Sequence, residues 1–285
     1  MKGYFQVKFI DDISEMHNLA AQLRQEGKRI GFVPTMGALH QGHLSLIEYA
    51  KKEADVVIVS IFVNPAQFGP KEDLNQYPRD LEGDKDKTCS AGADILFVPT
   101  PYQIYPEGFR TYVSVEGHSE IMCGQARPGH FRGVATVVLK LFNIVKPHKA
   151  FFGQKDFQQT VIIKRMVKDF NVNMDIVVLP TVREADGLAM SSRNQYLKNS
   201  DRQAAAVIYR SLCQASRLYE DGVKGADKLR ETIFRVLMEE PSVQTEYVAV
   251  IHPETLEEET DAGKGTVIAI AARIGNTRLI DNIIL

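Results

Sequence analysis

The sequence predicts an α/β protein, a doubly wound parallel sheet with a second, smaller α+β domain at the C-terminal end, and three observations carry that expectation. Apolar runs rich in β-branched residues recur through the first two-thirds of the 285 residues, and runs without strict alternation are those of strands buried on both faces. The stretches between them have the apolar spacing of helices packed on a sheet. After about Asp186 the alternation stops and a different pattern begins. A chain of this length divides naturally into a main domain and a smaller one, and the change of pattern places them at 1–186 and 187–285.

In chain order, RIGFVP (29–34) is the first strong strand and HLSLIEYAKKEA (43–54) the helix after it. VVIVSIFV (56–63), DILFVP (94–99), KAFFG (149–153) and DIVVLP (175–180) are further strands. LEGDKDKTCSAGA (81–93), GVATVVLKLFNIV (133–145) and DFQQTVIIKRMVKDF (156–170) are the helices between them. Strand and helix in alternation give parallel pairing with helices on both faces. The smaller domain contains helical stretches at 204–220 and 225–240, then the strand-like TEYVAVI and TVIAIAARIG. The charged HPETLEEET (252–260) between these two reads as a solvated loop. No repeat of solenoid period and no low-complexity tract is present.

Thirty-four basic residues against 36 acidic ones leave no strong overall field for nucleic acid or an anionic membrane, so anionic ligands must be caught locally. Cys89, Cys123 and Cys213 are scattered without CxxC spacing, which argues against a zinc knot or a disulfide framework and for a reducing cytoplasm. The opening MKGYFQVKFIDDISEM brings acidic residues before any apolar stretch, and no segment approaches the roughly 18 apolar residues of a membrane span. A soluble, unprocessed chain is expected.

The segment most informative about chemistry is PTMGALHQGHLSLIEYA, which follows the first strong strand and opens a helix. A helix N-terminus presents unpaired N–H groups and a positive dipole end to phosphate, and Gly37 and Gly42 allow close backbone approach. His40 and His43, three residues apart, can place both imidazoles on one triphosphate. The alternatives are a metal pair or a helix cap; a catalytic zinc would need a third ligand, and neither HExxH nor a nearby cysteine is present. A second phosphate-binding element is FGQKDFQQT (152–160), where Gly153 and Lys155 stand between a strand and a helix, with Asp156, Gln158 and Gln159 on polar helix positions. A third is AMSSRNQYL (189–197), whose Ser191, Ser192 and Arg193 suit an anion that gains charge during reaction, or else a helix cap.

HQGH at a strand-to-helix turn with MSSRN downstream resembles the paired nucleotide motifs of the adenylate-forming nucleotidyltransferase superfamily, whose catalytic domains are Rossmann-like. Within it the chain is similar to the pantothenate synthetase family. PTMGALHQGH, SIFVNPAQF, YPRD, RPGHFRGVATVV, FFGQKDFQQ and DGLAMSSRN occur in that family's order and spacing between about residues 30 and 197. The resemblance implies an ATP-dependent ligase that activates pantoate as an acyl-adenylate and passes it to β-alanine, with the C-terminal domain as a small lid.

Position by position, the resemblance implies an ATP loop formed by Met36, Gly37, Ala38, Leu39, His40, Gln41, Gly42 and His43. The resemblance makes His43 the histidine assigned the catalytic role and His40 a phosphate contact. It implies further ATP contacts at Gly153, Gln154, Lys155, Asp156, Met190, Ser191, Ser192 and Arg193, with Val182 beside the adenine. Gln67 and Gln159 match the pantoate-binding glutamines, and Asn64, Arg127 and His130 look like pocket residues for β-alanine's carboxylate. Gln154 departs from the acidic residue common in the family. A homodimer without nucleic-acid or membrane partners is also implied.

The residue chemistry agrees. Pantoate's carboxylate is ionised near neutral pH, so its attack on the α-phosphorus needs no general base and no activated serine or cysteine. It needs in-line positioning and charge neutralisation at the departing pyrophosphate, which His40, His43, Lys155, Ser192 and Arg193 can supply with Mg²⁺. Asp84 and Asp156 are the candidate metal anchors. The competing expectations are a nucleotidyltransferase acting on another small substrate, which would need no amine pocket, and a regulatory module that binds ATP without consuming it. Binding of tRNA is disfavoured by the lack of a basic stripe.

Overall fold

The computed structural model describes residues 7–70 and 72–285. These fall into two compact units, one containing the described residues up to Gly153 with Ile162–Leu179, the other Gln154–Val161 with Pro180–Leu285.

The first unit is built on a six-stranded parallel sheet. Its strands are β1 (Lys8–Ile10), β2 (Ile30–Thr35), β3 (Val56–Ile61), β4 (Ile95–Phe97), β5 (Lys149–Gly153) and β6 (Asp175–Leu179), in the order β1-β4-β3-β2-β5-β6. The helices are α1 (Ile13–Gln25), α2 (Gln41–Glu53), α3 (Leu81–Ser90), the short α4 (Pro101–Ile104) and α5 (Cys123–Ala126), α6 (His130–Val145) and α7 (Phe157–Asp169), whose first turns belong to the other unit. The five strands expected from apolar runs are present, and the doubly wound class holds. Strand β1 and helix α1 were not expected. The strand is three residues long at the sheet edge, and α1 buries only Met16 and Ala20, so neither leaves a strong apolar period. What starts α1 is its cap: Asp12 accepts the Glu15 N–H at 2.8 Å.

Val33, Val57, Val59, Leu96 and Phe151 from the central strands pack with Ile47 and Ala50 of α2. Gly31 makes that approach possible, because a Cβ there would lie 2.9 Å from that of Ala54. The strand order reverses between β2 and β5, and at such a switch the crevice outside the carboxyl ends of the strands is where α/β sheets receive ligands.

The second unit is an antiparallel sheet of β7 (Val243–Ile251), β8 (Val267–Ile274) and β9 (Thr277–Ile284), with α8 (Asn199–Ala204), α9 (Val207–Glu220) and α10 (Ala226–Leu237). Its core joins Ile208 and Leu212 of α9, Leu229 and Ile233 of α10, and Ile268 and Ile270 of β8. The HPETLEEET segment connects β7 to β8, mostly exposed but pinned by buried Leu256. Among the described residues no helix is long and apolar enough to cross a membrane.

Candidate active site

The loop Met36–His40 leaves the carboxyl end of β2 and enters α2. Thr35 Oγ1 donates to the Ser60 carbonyl (2.8 Å) and accepts the Gly37 N–H (3.2 Å), which starts the turn. The backbone then passes through left-handed conformations at Gly37 (φ 84°) and Ala38 (φ 51°). The second of these is unfavourable for a residue with a Cβ, and a carboxylate offsets it. Asp84 of α3, only 1% exposed, accepts the Ala38 N–H on Oδ2 and the Leu39 N–H on Oδ1, both at 2.8 Å. Lys87 Nζ stands 3.7 Å from Oδ1. The expected metal anchor is therefore committed to the loop backbone, a geometry that favours support of the loop over ligation of an ion.

His40 is the N-cap of α2, and its Nδ1 accepts the Gly42 N–H at 3.1 Å. The Nδ1 of His43 accepts the His40 N–H at 3.3 Å, and the ring centroids are 4.1 Å apart. A ring nitrogen that accepts carries no proton, so in the neutral imidazole the proton sits on Nε2. Capping and phosphate binding, alternatives at the level of sequence, therefore need not compete, because the capping bonds use Nδ1 alone.

Beyond β3, a 3-10 turn at Pro65–Gln67 is capped by Asn64. The buried Asn64 amide donates to Gln67 Oε1 and to the Gly133 carbonyl, both at 3.1 Å. Its oxygen accepts the Ala66 N–H (3.2 Å) and the Tyr105 hydroxyl (2.7 Å). These four bonds fill the hydrogen-bonding capacity of an asparagine side chain. Asn64 accordingly holds Gln67, whose Nε2 lies 3.2 Å from Met36 Sδ of the loop between β2 and α2. Burial of Tyr105 raises its pKa despite the bond to Asn64, so its hydroxyl stays a proton donor.

Gly133 of α6 lies so close to this turn that a Cβ would stand 2.3 Å from the Ala66 carbonyl oxygen and 2.6 Å from Gln67 N. Gly133→Ala is expected to destabilise the protein by about 1–3 kcal/mol through overpacking against backbone. A urea midpoint unchanged from wild type would show that the turn yields freely.

Arg127 and His130 flank the same turn. His130 Nδ1 lies 2.9 Å from the Gln67 carbonyl, and its Nε2 lies 3.0 Å from Arg127 Nη1. The guanidinium can only donate, so Nε2 accepts and the Nδ1–H faces Gln67. Arg127 also grips Glu72 through Nε (2.8 Å) and Nη2 (2.7 Å). Desolvation raises the Glu72 pKa, but the hydrogen bonds and charge of Arg127 outweigh it and hold the carboxyl below its ordinary value. Glu72, Tyr105 and Gly133 were missed by sequence reasoning. Only Gly133, a glycine inside an apolar helical stretch, carried a signal of close approach.

In the second unit, Gln154–Asp156 forms a 3-10 turn that runs into α7. Lys155 and Gln159 are half-buried and Asp156 is exposed. Met190 N–H donates to the Val182 carbonyl (3.0 Å), which brings together two of the expected ATP-contacting segments. Ser191 caps the 3-10 turn Ser192–Tyr196 by accepting the Arg193 N–H at 3.2 Å. Asn194 and Arg202 both bond the Glu184 carboxylate at 2.6 Å, which closes the loop between Val182 and Met190.

The motifs at these positions belong to a pattern that a family model captures as a whole: the model for pantoate-beta-alanine ligase matches residues 8–284. This chain belongs to that family. A pantothenate synthetase of Thermodesulfovibrio yellowstonii is 54% identical over 271 residues, covering 95% of this chain and 96% of the relative. The crystal structure of pantothenate synthetase from Thermus thermophilus superposes with a TM-score of 0.93 at 45% identity, covering 97% of this chain and 99% of that one. A pantoate-beta-alanine ligase from Francisella tularensis, complexed with beta-gamma ATP and beta-alanine, gives a TM-score of 0.80 at 39% identity, covering 98% and 97%. Family membership therefore extends over both units of the chain.

Proposed function

We propose that this chain joins (R)-pantoate to β-alanine at the expense of ATP, forming pantothenate through a pantoyl-adenylate and releasing AMP and pyrophosphate. Membership of the pantoate-beta-alanine ligase family over nearly the whole chain carries the reading, and the relative crystallised with a nucleotide and beta-alanine supports it. Residues 1–186 would form the catalytic domain and 187–285 the lid.

The proposed roles rest on the resemblance of the motifs to the family's and on the groups described. Gln67 and Gln159 hydrogen-bond pantoate, Gln67 being held in one rotamer by Asn64. Met36 to His43, Gly153 to Asp156, Val182 and Met190 to Arg193 bind ATP. His40 and His43 present Nε2–H donors to the phosphates, and Lys155, Ser192 and Arg193 neutralise charge on the leaving pyrophosphate. The ionised carboxylate of pantoate is itself the nucleophile, so no side chain needs to remove a proton in this step. Arg127 receives β-alanine's carboxylate, with Glu72 as the resident counter-charge; the expected pocket residue His130 has both ring nitrogens engaged, by the Gln67 carbonyl and the Arg127 guanidinium, and so orients that guanidinium instead.

Mg²⁺ binds few protein carboxylates and favours phosphates and water. Among the described residues no cluster of three metal-ligating side chains exists, which suits an ion that arrives on the triphosphate. Asp156, exposed at the turn, is the side chain proposed to approach it. When bound, the ion supplies charge neutralisation at phosphate oxygens. A cytoplasmic homodimer is the proposed working form.

Isotope transfer tests the mechanism. Pantoate labelled with ¹⁸O in its carboxylate is expected to deliver one labelled oxygen to AMP and none to pyrophosphate, because the attacking oxygen stays on phosphorus when the amine displaces AMP. Label found in inorganic phosphate alongside ADP would mean an acyl-phosphate route and overturn the proposal.

A further inference from the structure

The last strand of the chain places a buried amide against the peptide that carries Lys155. Asn282 of β9 is 2% exposed, and its Nδ2 donates to the carbonyls of Gln154 (3.0 Å) and Lys155 (3.1 Å). Its Oδ1 accepts from Gln154 Nε2 at 3.1 Å, so one side chain makes three bonds to a turn of three residues. Behind it, the Asn282 N–H donates to Asp281 Oδ1 (2.8 Å), and Asp281 is gripped by Arg183 through two bonds of 2.6 and 3.0 Å. Arg183 follows Val182 directly.

We infer that Asn282 is a positioning residue for Lys155: by anchoring the carbonyls of Gln154 and Lys155, it fixes where the ammonium is presented to phosphate. A turn this short has few internal hydrogen bonds, so its carbonyls need outside partners. A lysine stem has four rotatable bonds, and the backbone beneath it sets the volume its charge can reach. Asn282 supplies the partners from a strand rather than from a loop, and the Asp281–Arg183 pair keeps the amide in place. The Gln154 side chain completes the arrangement, since its amide paired with that of Asn282 satisfies a donor and an acceptor together.

The inference rests on the reading that Lys155 acts in adenylation, and its test is a double-mutant cycle read by single-turnover formation of pantoyl-adenylate from ATP and pantoate. Asn282→Ala is expected to slow adenylation by about 10- to 100-fold, the scale of a displacement of roughly 1 Å at a catalytic group. In a Lys155→Ala background the same replacement is expected to cost less than about twofold, because the group it positions is gone. Urea denaturation of each variant separates this from loss of fold; if Asn282→Ala does not fold, Asn282→Asp keeps the volume, removes both donors and carries the same cycle. Losses that multiply independently in the two backgrounds would overturn the role of Asn282 while leaving the proposed function intact. A wild-type protein that forms no adenylate would instead refute the function on which the inference rests.

Discussion

Lys155→Ala is expected to lower the single-turnover rate of adenylate formation by about 10²- to 10³-fold, the usual cost, ~3–4 kcal/mol, of losing one preorganised donor to charge that develops in the transition state. The lysine follows β5 on a short turn and is half-buried. Ground-state binding of pantoate should change little, because the proposed contacts to that substrate are amides rather than Lys155. The loss is therefore expected in the rate of adenylation and not in pantoate affinity. Rapid-quench measurement of labelled adenylate at saturating substrates decides it. A rate within about threefold of wild type would remove Lys155 from the reaction.

The first unit was largely legible in the sequence, because buried parallel strands leave long apolar runs, and the family was legible because short motifs stand at their ends. The missing pieces have physical reasons. Strand β9 reads RLIDNII at its centre, where Asp281 and Asn282 are both buried, and two consecutive polar residues break the apolar run of a strand. They are buried because each has a partner far away in the chain, Arg183 at 98 positions from Asp281 and Gln154 at 128 positions from Asn282. Partners at that distance leave no local pattern. The acidic run at 81–93 had the opposite difficulty: Asp84 looks like one more solvated charge, yet it is the residue that turns inward to hold the loop between β2 and α2. Glu72 is equally anonymous, since nothing near it in sequence points to Arg127.

Arg183→Met is expected to destabilise the protein by about 3–5 kcal/mol near pH 8, the usual cost of removing one partner from a buried ion pair. Asp281 is 3% exposed, and the Arg183 guanidinium that satisfies both of its oxygens also stacks on Tyr209 at 3.8 Å and donates to the Gly187 carbonyl at 3.1 Å. Methionine keeps much of the stem's packing, so the loss is chiefly that of the charge. Burial already pushes the Asp281 carboxyl above its ordinary value near 3.8, against the opposing pull of Arg183. Without the arginine the folded-state pKa rises further, while the unfolded value stays put. The folded variant then holds a proton that the unfolded chain has released, so its stability falls as pH rises through that interval and is greatest below it. The difference from wild type should consequently be largest at pH 8 and shrink steadily toward pH 4. Adding Asp281→Asn, which removes the charge but keeps an acceptor for the Asn282 N–H, should recover most of the loss at pH 8 and flatten its pH dependence. Urea denaturation of the single and double variants at pH 8, 6 and 4 measures all of this; a loss below about 1 kcal/mol at pH 8 would show that water reaches the carboxylate once the arginine is gone, and that β9 does not depend on the pair.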